Sequence, residues 1–198
     1  MEFRKIDFRY TPGITAVNEE QFNVHMQLYE GYINKMNEID ALLRAGGDYE
    51  QANATYSTYR GIKRGETYAL DGVILHELYF QNMGNGYNMP NETTQDYLIQ
   101  SFGSFEDWEK HFVATAKASR GWTVLAFDWR SYCFRNISLD AHDMGNITLS
   151  TPVLVLDVYE HAYFLQYANK KDEYIDNFMK NINWPIVDRR ILRNVIGE

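Results

Sequence analysis

The sequence predicts an α+β fold, in which an N-terminal helical hairpin is followed by a C-terminal lobe of a small three-stranded antiparallel sheet flanked by helices. Helical periodicity dominates as far as about Arg120, and the pattern then switches to period two from Trp122. Between two of the helical stretches, the run Gly84-Asn-Gly-Tyr-Asn-Met-Pro90 collects turn formers. The expected division is therefore 1–88, an N-terminal helical hairpin domain, and 89–198, a C-terminal α/β domain.

The first helix opens at Asn18, a good cap, with Glu19 and Glu20 placed to meet the helix dipole. It should run to about Leu43 and stop at Gly46-Gly47. A second helix is expected over Tyr68 to Met83, with Val73, His76, Leu78 and Phe80 facing inward. Thr94 to Ser101 and Phe105 to Arg120 read as helices, the latter capped by Ser104 with Asp107 three residues on. Trp122 to Asp128 and Tyr132 to Ile137 are rich in aromatic and β-branched residues around a short polar turn, the pattern of an antiparallel hairpin. Pro152 to Asp157 is a third, apolar strand. Helices follow over Glu160 to Ala168 and Asp172 to Asn181, and a last one starts at Pro185.

With 45% apolar residues the 198-residue chain can fill a real core. The single cysteine, Cys133, allows no intrachain disulfide, and the opening MEFRKIDFRY has no apolar stretch of signal-peptide length, so a reducing cytoplasm is expected. On that expectation the Asn-x-Ser/Thr triplets at Asn53, Asn91, Asn136 and Asn146 are chance matches. A formal charge of −8 repels phosphate backbones and anionic lipid surfaces, so neither a nucleic-acid nor a membrane partner is expected. Fifteen tyrosines and four tryptophans suit either a bulky core or a dry, ring-lined pocket.

Five histidines are present: His25, His76, His111, His142 and His161. His25, Tyr29 and Tyr32 share one face of the first helix, and His76 lies in the middle of the second. Asp157 ends a strand that ought to be buried, where an isolated carboxylate would be costly. It suits either a metal ligand, shared with His161 four residues on, or the N-cap of the next helix. Imidazoles and a carboxylate without thiolate suit iron or manganese better than structural zinc or an iron–sulfur cluster.

Asp157-Val-Tyr-Glu-His161-Ala-Tyr resembles the Asp-Val-Trp-Glu-His-Ala-Tyr signature of the iron/manganese superoxide dismutases. Tyr32-Ile-Asn-Lys-Met-Asn37 is similar to the family's Tyr-Val-Asn-Asn-Leu-Asn, His76-Glu-Leu-Tyr-Phe-Gln-Asn-Met to its His-x-x-Phe-Trp-x-Asn-Leu, and Ser101-Phe-Gly-Ser-Phe to its Asp-Phe-Gly-Ser-Phe. Gly121-Trp122-Thr-Val-Leu-Ala-Phe127 and Asn181-Ile-Asn-Trp184 match further blocks in the same order.

The resemblance implies dismutation of superoxide by one iron or manganese ion per subunit, bound between the two domains by His25, His76, Asp157 and His161 with a solvent ligand. A related reading is a metal-binding homologue with little or no dismutase activity. Tyr32 and His142 are the implied catalytic residues, His142-Asp143 resembling the Gln-Asp segment that hydrogen-bonds that solvent. Gly72 matches members that draw this residue from the sheet rather than the helix. Tyr29, Trp122, Tyr159 and Glu160 are implied around the ligands and at the contact of a homodimer, with Glu160 reaching the partner's equivalent histidine.

Departures from the pattern mark the entrance. His25 stands seven positions before Tyr32, one fewer than in the family. Counting back from Tyr32 selects Val24, and counting forward from Asn18 selects His25. His25 is preferred, because losing one residue turns a helical bulge into regular α-helix. Leu28 or Tyr29 replaces a gateway histidine, Phe164 a gateway tyrosine, and Tyr159 a pocket tryptophan. Lys35, Arg189 and Arg190 are candidate attractors for a small anion.

Overall fold

A computed structural model describes residues 2–46, 49–84 and 89–196. Its first two helices, α1 (Glu19–Arg44) and α2 (Thr58–Asn82), form the N-terminal hairpin. Asn18 caps α1 by accepting the N–H of Gln21 at 2.8 Å. The helix ends at Ala45, followed by Gly46 at φ 81°, a backbone that favours glycine. Gly47, the second half of the expected stop, lies outside the described residues. So does most of the expected domain boundary, residues 85–88.

Helix α2 begins ten residues before the expected Tyr68, because Ser57 caps it by accepting the N–H of Arg60. Its first turns carry Arg60, Lys63 and Arg64 and lack the apolar stripe that marks a helix in sequence. The stripe starts at the buried Ala69.

The second half contains α3 (Glu92–Phe102), α4 (Phe105–Ala118), β1 (Trp122–Asp128), β2 (Cys133–Leu139), β3 (Ser150–Asp157), α5 (Glu160–Tyr167), α6 (Lys171–Met179) and α7 (Trp184–Ile191). A π-helical turn, Leu192–Ile196, continues α7. The sheet is antiparallel in the order β2-β1-β3, so β1 is central, and it is buried at every position. Trp122 at its start pairs with Asp157 at the end of β3. Pro152 is tolerated because β3 is an edge strand and the register slips there, leaving Val153 as an extra residue.

That slip has a structural use. The carbonyl of Val153 accepts from Nη1 of Arg190 at 2.8 Å, and the same guanidinium donates to Asn82 Oδ1, Gln81 Oε1 and the Leu78 carbonyl. Asn82 in turn donates to the Val155 carbonyl at 2.6 Å. The end of α2 is thereby tied to the strand that carries Asp157. Much of the aromatic content is core: Trp108, Phe112, Tyr174 and Phe178 are fully buried, and Trp108 meets Trp184 edge-to-face at 5.4 Å. No helix among the described residues is long and apolar enough to cross a membrane.

Candidate metal centre

Four elements converge on one buried point. His25 comes from α1, His76 from α2, Asp157 from the end of β3 and His161 from the first turn of α5. One ligand-competent atom from each lies within 4.8 Å of all the others. Twice a bond of about 2.1 Å, the reach of one first-row ion between opposite donors, is about 4.2 Å. A single ion therefore fits with a slight contraction. Asp157 Oδ2 stands 3.1 Å from Nε2 of both His25 and His161, and 3.9 Å from Nε2 of His76.

The donor atoms are prepared for a cation. The Nδ1 of His76 meets the Gly72 carbonyl at 2.6 Å and must donate there, which leaves the Nε2 lone pair facing the cluster. The buried Nε2 of His76 has no hydrogen-bond partner, and that of His25 has only the Asp157 carboxylate beside it, too poorly aligned for a full hydrogen bond, an expensive arrangement unless a ligand takes them. Asp157 is not the cap of α5, a position held by Tyr159. Its Oδ1 accepts the Tyr159 N–H at 2.9 Å, while the Tyr174 hydroxyl donates to its carbonyl at 2.8 Å.

Burial pushes the Asp157 carboxyl up, but the imidazoles of His161 and His25 more than offset that and hold it well below the usual carboxylate range. Burial lowers His25, and it lowers His76 to about 3, so both rings are neutral and able to bind metal at neutral pH. For His161 burial acts downward, yet the Asp157 charge prevails and raises it.

A wall of rings closes the site. The indole Nε1 of Trp122, which can only donate, lies 2.8 Å from Nδ1 of His142. Burial lowers His142 to about 4, so the ring is neutral, carries its proton on Nε2 and donates to Tyr32 Oη at 2.8 Å. Tyr32 keeps its own hydroxyl proton, since burial pushes its pKa well above the ordinary phenol value. Gly72 gives the Tyr32 ring its seat: a Cβ there would stand 2.9 Å from Cδ1. Gly121 does the same for Tyr159, whose ring stacks on His161 at 5.1 Å. Outside this wall lies an open cavity of about 370 Å³, lined by Leu28, Gly31, Tyr32, Lys35 and Tyr68 among others.

A family model described as iron/manganese superoxide dismutases, C-terminal domain, matches residues 90–190. The iron superoxide dismutase of Aquifex aeolicus (strain VF5) is 39% identical over 182 residues, which cover 90% of this chain and 85% of that protein. A manganese superoxide dismutase of Halobacterium salinarum is 33% identical over 164 residues, covering 81% and 78% of the two chains. The chain belongs to the iron/manganese superoxide dismutase family. An iron superoxide dismutase of Pyrobaculum aerophilum, 30% identical over 179 residues, spans 88% of this chain and 83% of its own.

Within this family member, His25 and not Val24 stands beside the other three candidate donors. His25 is 1% exposed and faces Asp157, whereas Val24 is 38% exposed, and α1 is regular α-helix throughout. Tyr29 does not stand at the entrance. It is fully buried behind His76, and its hydroxyl donates to Glu77 at 2.7 Å while accepting the Ile6 N–H at 3.0 Å. Leu28 and Phe164 are exposed. Glu160 is exposed at the start of α5.

Arg190 is corrected from attractor to buried clamp, because its guanidinium is taken up by Leu78, Gln81 and Asn82 of α2 and by the Val153 carbonyl. Lys35 lines the entrance cavity and pairs with Glu38, and Arg189 is exposed on α7. Tyr68 escaped the sequence reading. Its ring lies 4.4 Å from that of His142 and 6.1 Å from that of Tyr32. The available signal was spacing, since Tyr68, Gly72 and His76 fall on one helical stripe.

Proposed function

We propose that this chain is a superoxide dismutase in which His25, His76, Asp157 and His161 hold one iron or manganese ion per subunit. The observation that carries it is the convergence of these four donors, two of them buried imidazole nitrogens with no other partner. The donor types suit iron and manganese alike. When bound, the ion supplies one-electron chemistry, taking an electron from one superoxide to release dioxygen and returning one to a second to form hydrogen peroxide.

The chain's own residues handle geometry and protons. The Gly72 carbonyl orients one ligand by holding His76 at Nδ1. Only the peroxide-forming half-reaction consumes protons. Tyr32 holds one at Oη and His142 one at Nε2, with Trp122 keeping that imidazole in a single tautomer. Trp122 and Tyr159 exclude water beside the ligands. Lys35 at the cavity offers local attraction to an anion within a chain of net charge −8.

The proposal extends to a homodimer in which Glu160 meets the partner's counterpart of His161, supported by Phe164 and Leu165 standing 50% and 58% exposed beside it. It keeps the division into 1–88 and 89–198, which contribute two ligands each. It places the protein in the cytoplasm, with neither a nucleic-acid nor a membrane partner, in line with the unpaired Cys133 and the negative charge. The test is to analyse purified protein for iron and manganese and to follow superoxide decay. One ion per chain with rapid decay is expected. Absence of both metals, or metal without superoxide consumption, overturns the reading.

A further inference from the structure

His142 is carried by the loop between β2 and β3, outside any strand or helix. The loop doubles back tightly. Asp140 N–H donates to the Met144 carbonyl at 3.2 Å, and Gly145 takes φ 109° where a Cβ would lie 2.5 Å from the Ser138 carbonyl. The ring of His142 is gripped by Trp122 and Tyr32, but that grip does not set where the backbone beneath it stands.

Asn146 supplies the missing hold. Its Nδ2 donates to Asp71 Oδ2 at 2.9 Å and to the carbonyl of His142 itself at 3.2 Å. An amide has two N–H donors, so both bonds form at once. Asp71 lies on α2, the helix that carries His76, and one turn earlier on the same face Thr67 donates to Asp143 Oδ2 at 3.0 Å. The His142 loop is thus clipped to the ligand helix at two points, one of them bonded to the His142 backbone. This also gives Asn146, the first residue of an Asn-Ile-Thr triplet, an internal use.

We propose that Asp71 and Asn146 are positioning residues for His142, an amide–carboxylate clamp that fixes the height of its imidazole against Tyr32 and so its Nε2-protonated tautomer. The role in turnover rests on the dismutase reading, whereas the clamp itself is a property of the protein without metal. Asn146 is exposed and Asp71 half-buried, so the clamp directs position more than it adds stability.

Two variants test it. Asn146→Asp sets a carboxylate against both Asp71 and the His142 carbonyl, and Asp71→Ala removes the acceptor on the helix. The readout without metal is the imidazole nitrogen spectrum of His142: a single Nε2-protonated form is expected for the parent, and mixed tautomers for both variants at nearly unchanged melting temperature. In metal-loaded protein, turnover should fall about tenfold with metal content retained, and Asn146→Asp should cause no further loss in a His142→Ala background. Unchanged His142 signals in either variant, or an equal loss in the His142→Ala background, would overturn the clamp. If the parent binds metal but does not consume superoxide, the nitrogen spectra still decide the clamp by themselves.

Discussion

Nε2 of His142 lies 2.8 Å from the phenol oxygen of Tyr32, joining the loop after β2 to α1, the helix that carries His25. The contact is directional, because Trp122 occupies Nδ1 as a donor and leaves Nε2–H to point at Tyr32. Tyr32→Phe removes the only acceptor that Nε2–H has within the described residues while leaving all four candidate ligands in place. Metal content should remain full and turnover should fall by about a hundredfold, the low end of the contribution of a positioned proton donor. Metal analysis and stopped-flow superoxide decay on the same sample check this, and loss of metal would place Tyr32 among the ligands.

Gly72 and Gly31 make a matched pair of helical glycines with opposite expectations. A Cβ on Gly31 meets nothing within 4 Å, so Gly31→Ala should stabilise by about 0.5–1 kcal/mol through helix propensity. A Cβ on Gly72 would overlap the Tyr32 ring at 2.9 Å. Gly72→Ala should therefore destabilise by about 1–3 kcal/mol, the usual cost of overpacking, and slow turnover as Tyr32 moves. Thermal melts of the two variants give the sign.

Acid should weaken the metal-free protein in a defined window. Burial lowers His142 to about 4 and His76 to about 3, both from 6.5. Between those values and 6.5 the unfolded chain binds more protons than the folded one, so stability rises with pH across that window. The part due to these two rings should be fully present above pH 6.5 and fall progressively as pH drops toward 4, whereas the part due to the raised His161 is lost as pH climbs above 6.5. Denaturant unfolding of metal-free protein at a series of pH values measures this, and His142→Gln should flatten part of the slope.

The Arg190 guanidinium serves four acceptors, so Arg190→Leu leaves the Asn82 side chain and the Val153 carbonyl unsatisfied in the interior. A loss of about 3 kcal/mol or more is expected, from about 1–3 kcal/mol for each buried group left unpaired. Arg190→Lys should rescue little, because an ammonium cannot span the fork. Denaturant midpoints of the two variants decide.

The elements legible in sequence were those whose caps and apolar stripes coincide. Asn18 and Ser104 each precede a stripe, and the observed helices begin one residue later. Ser57 is an equally good cap, but the polar turns after it hid the start of α2. β1 was legible to the residue because every position is buried in a central strand. The candidate ligands come from four separated segments, so spacing alone could not assemble them, and the signature around Asp157 and His161 had to supply the link. Arg190 looked like a surface cation because its acceptors, on Leu78, Gln81, Asn82 and Val153, lie on two other elements brought to it only by the fold. Tyr68 and Asn146 were invisible for a similar reason: their partners lie on other elements brought close only by the fold.

The most direct test of the central claim is superoxide decay measured per bound ion, with metal-free protein titrated with iron and, separately, with manganese. A rate that rises in proportion to bound ion, saturates at one per chain and is abolished in Asp157→Ala is the predicted result. Decay no faster than in buffer at full occupancy with both metals, or saturation without His25, His76, Asp157 and His161, would contradict it.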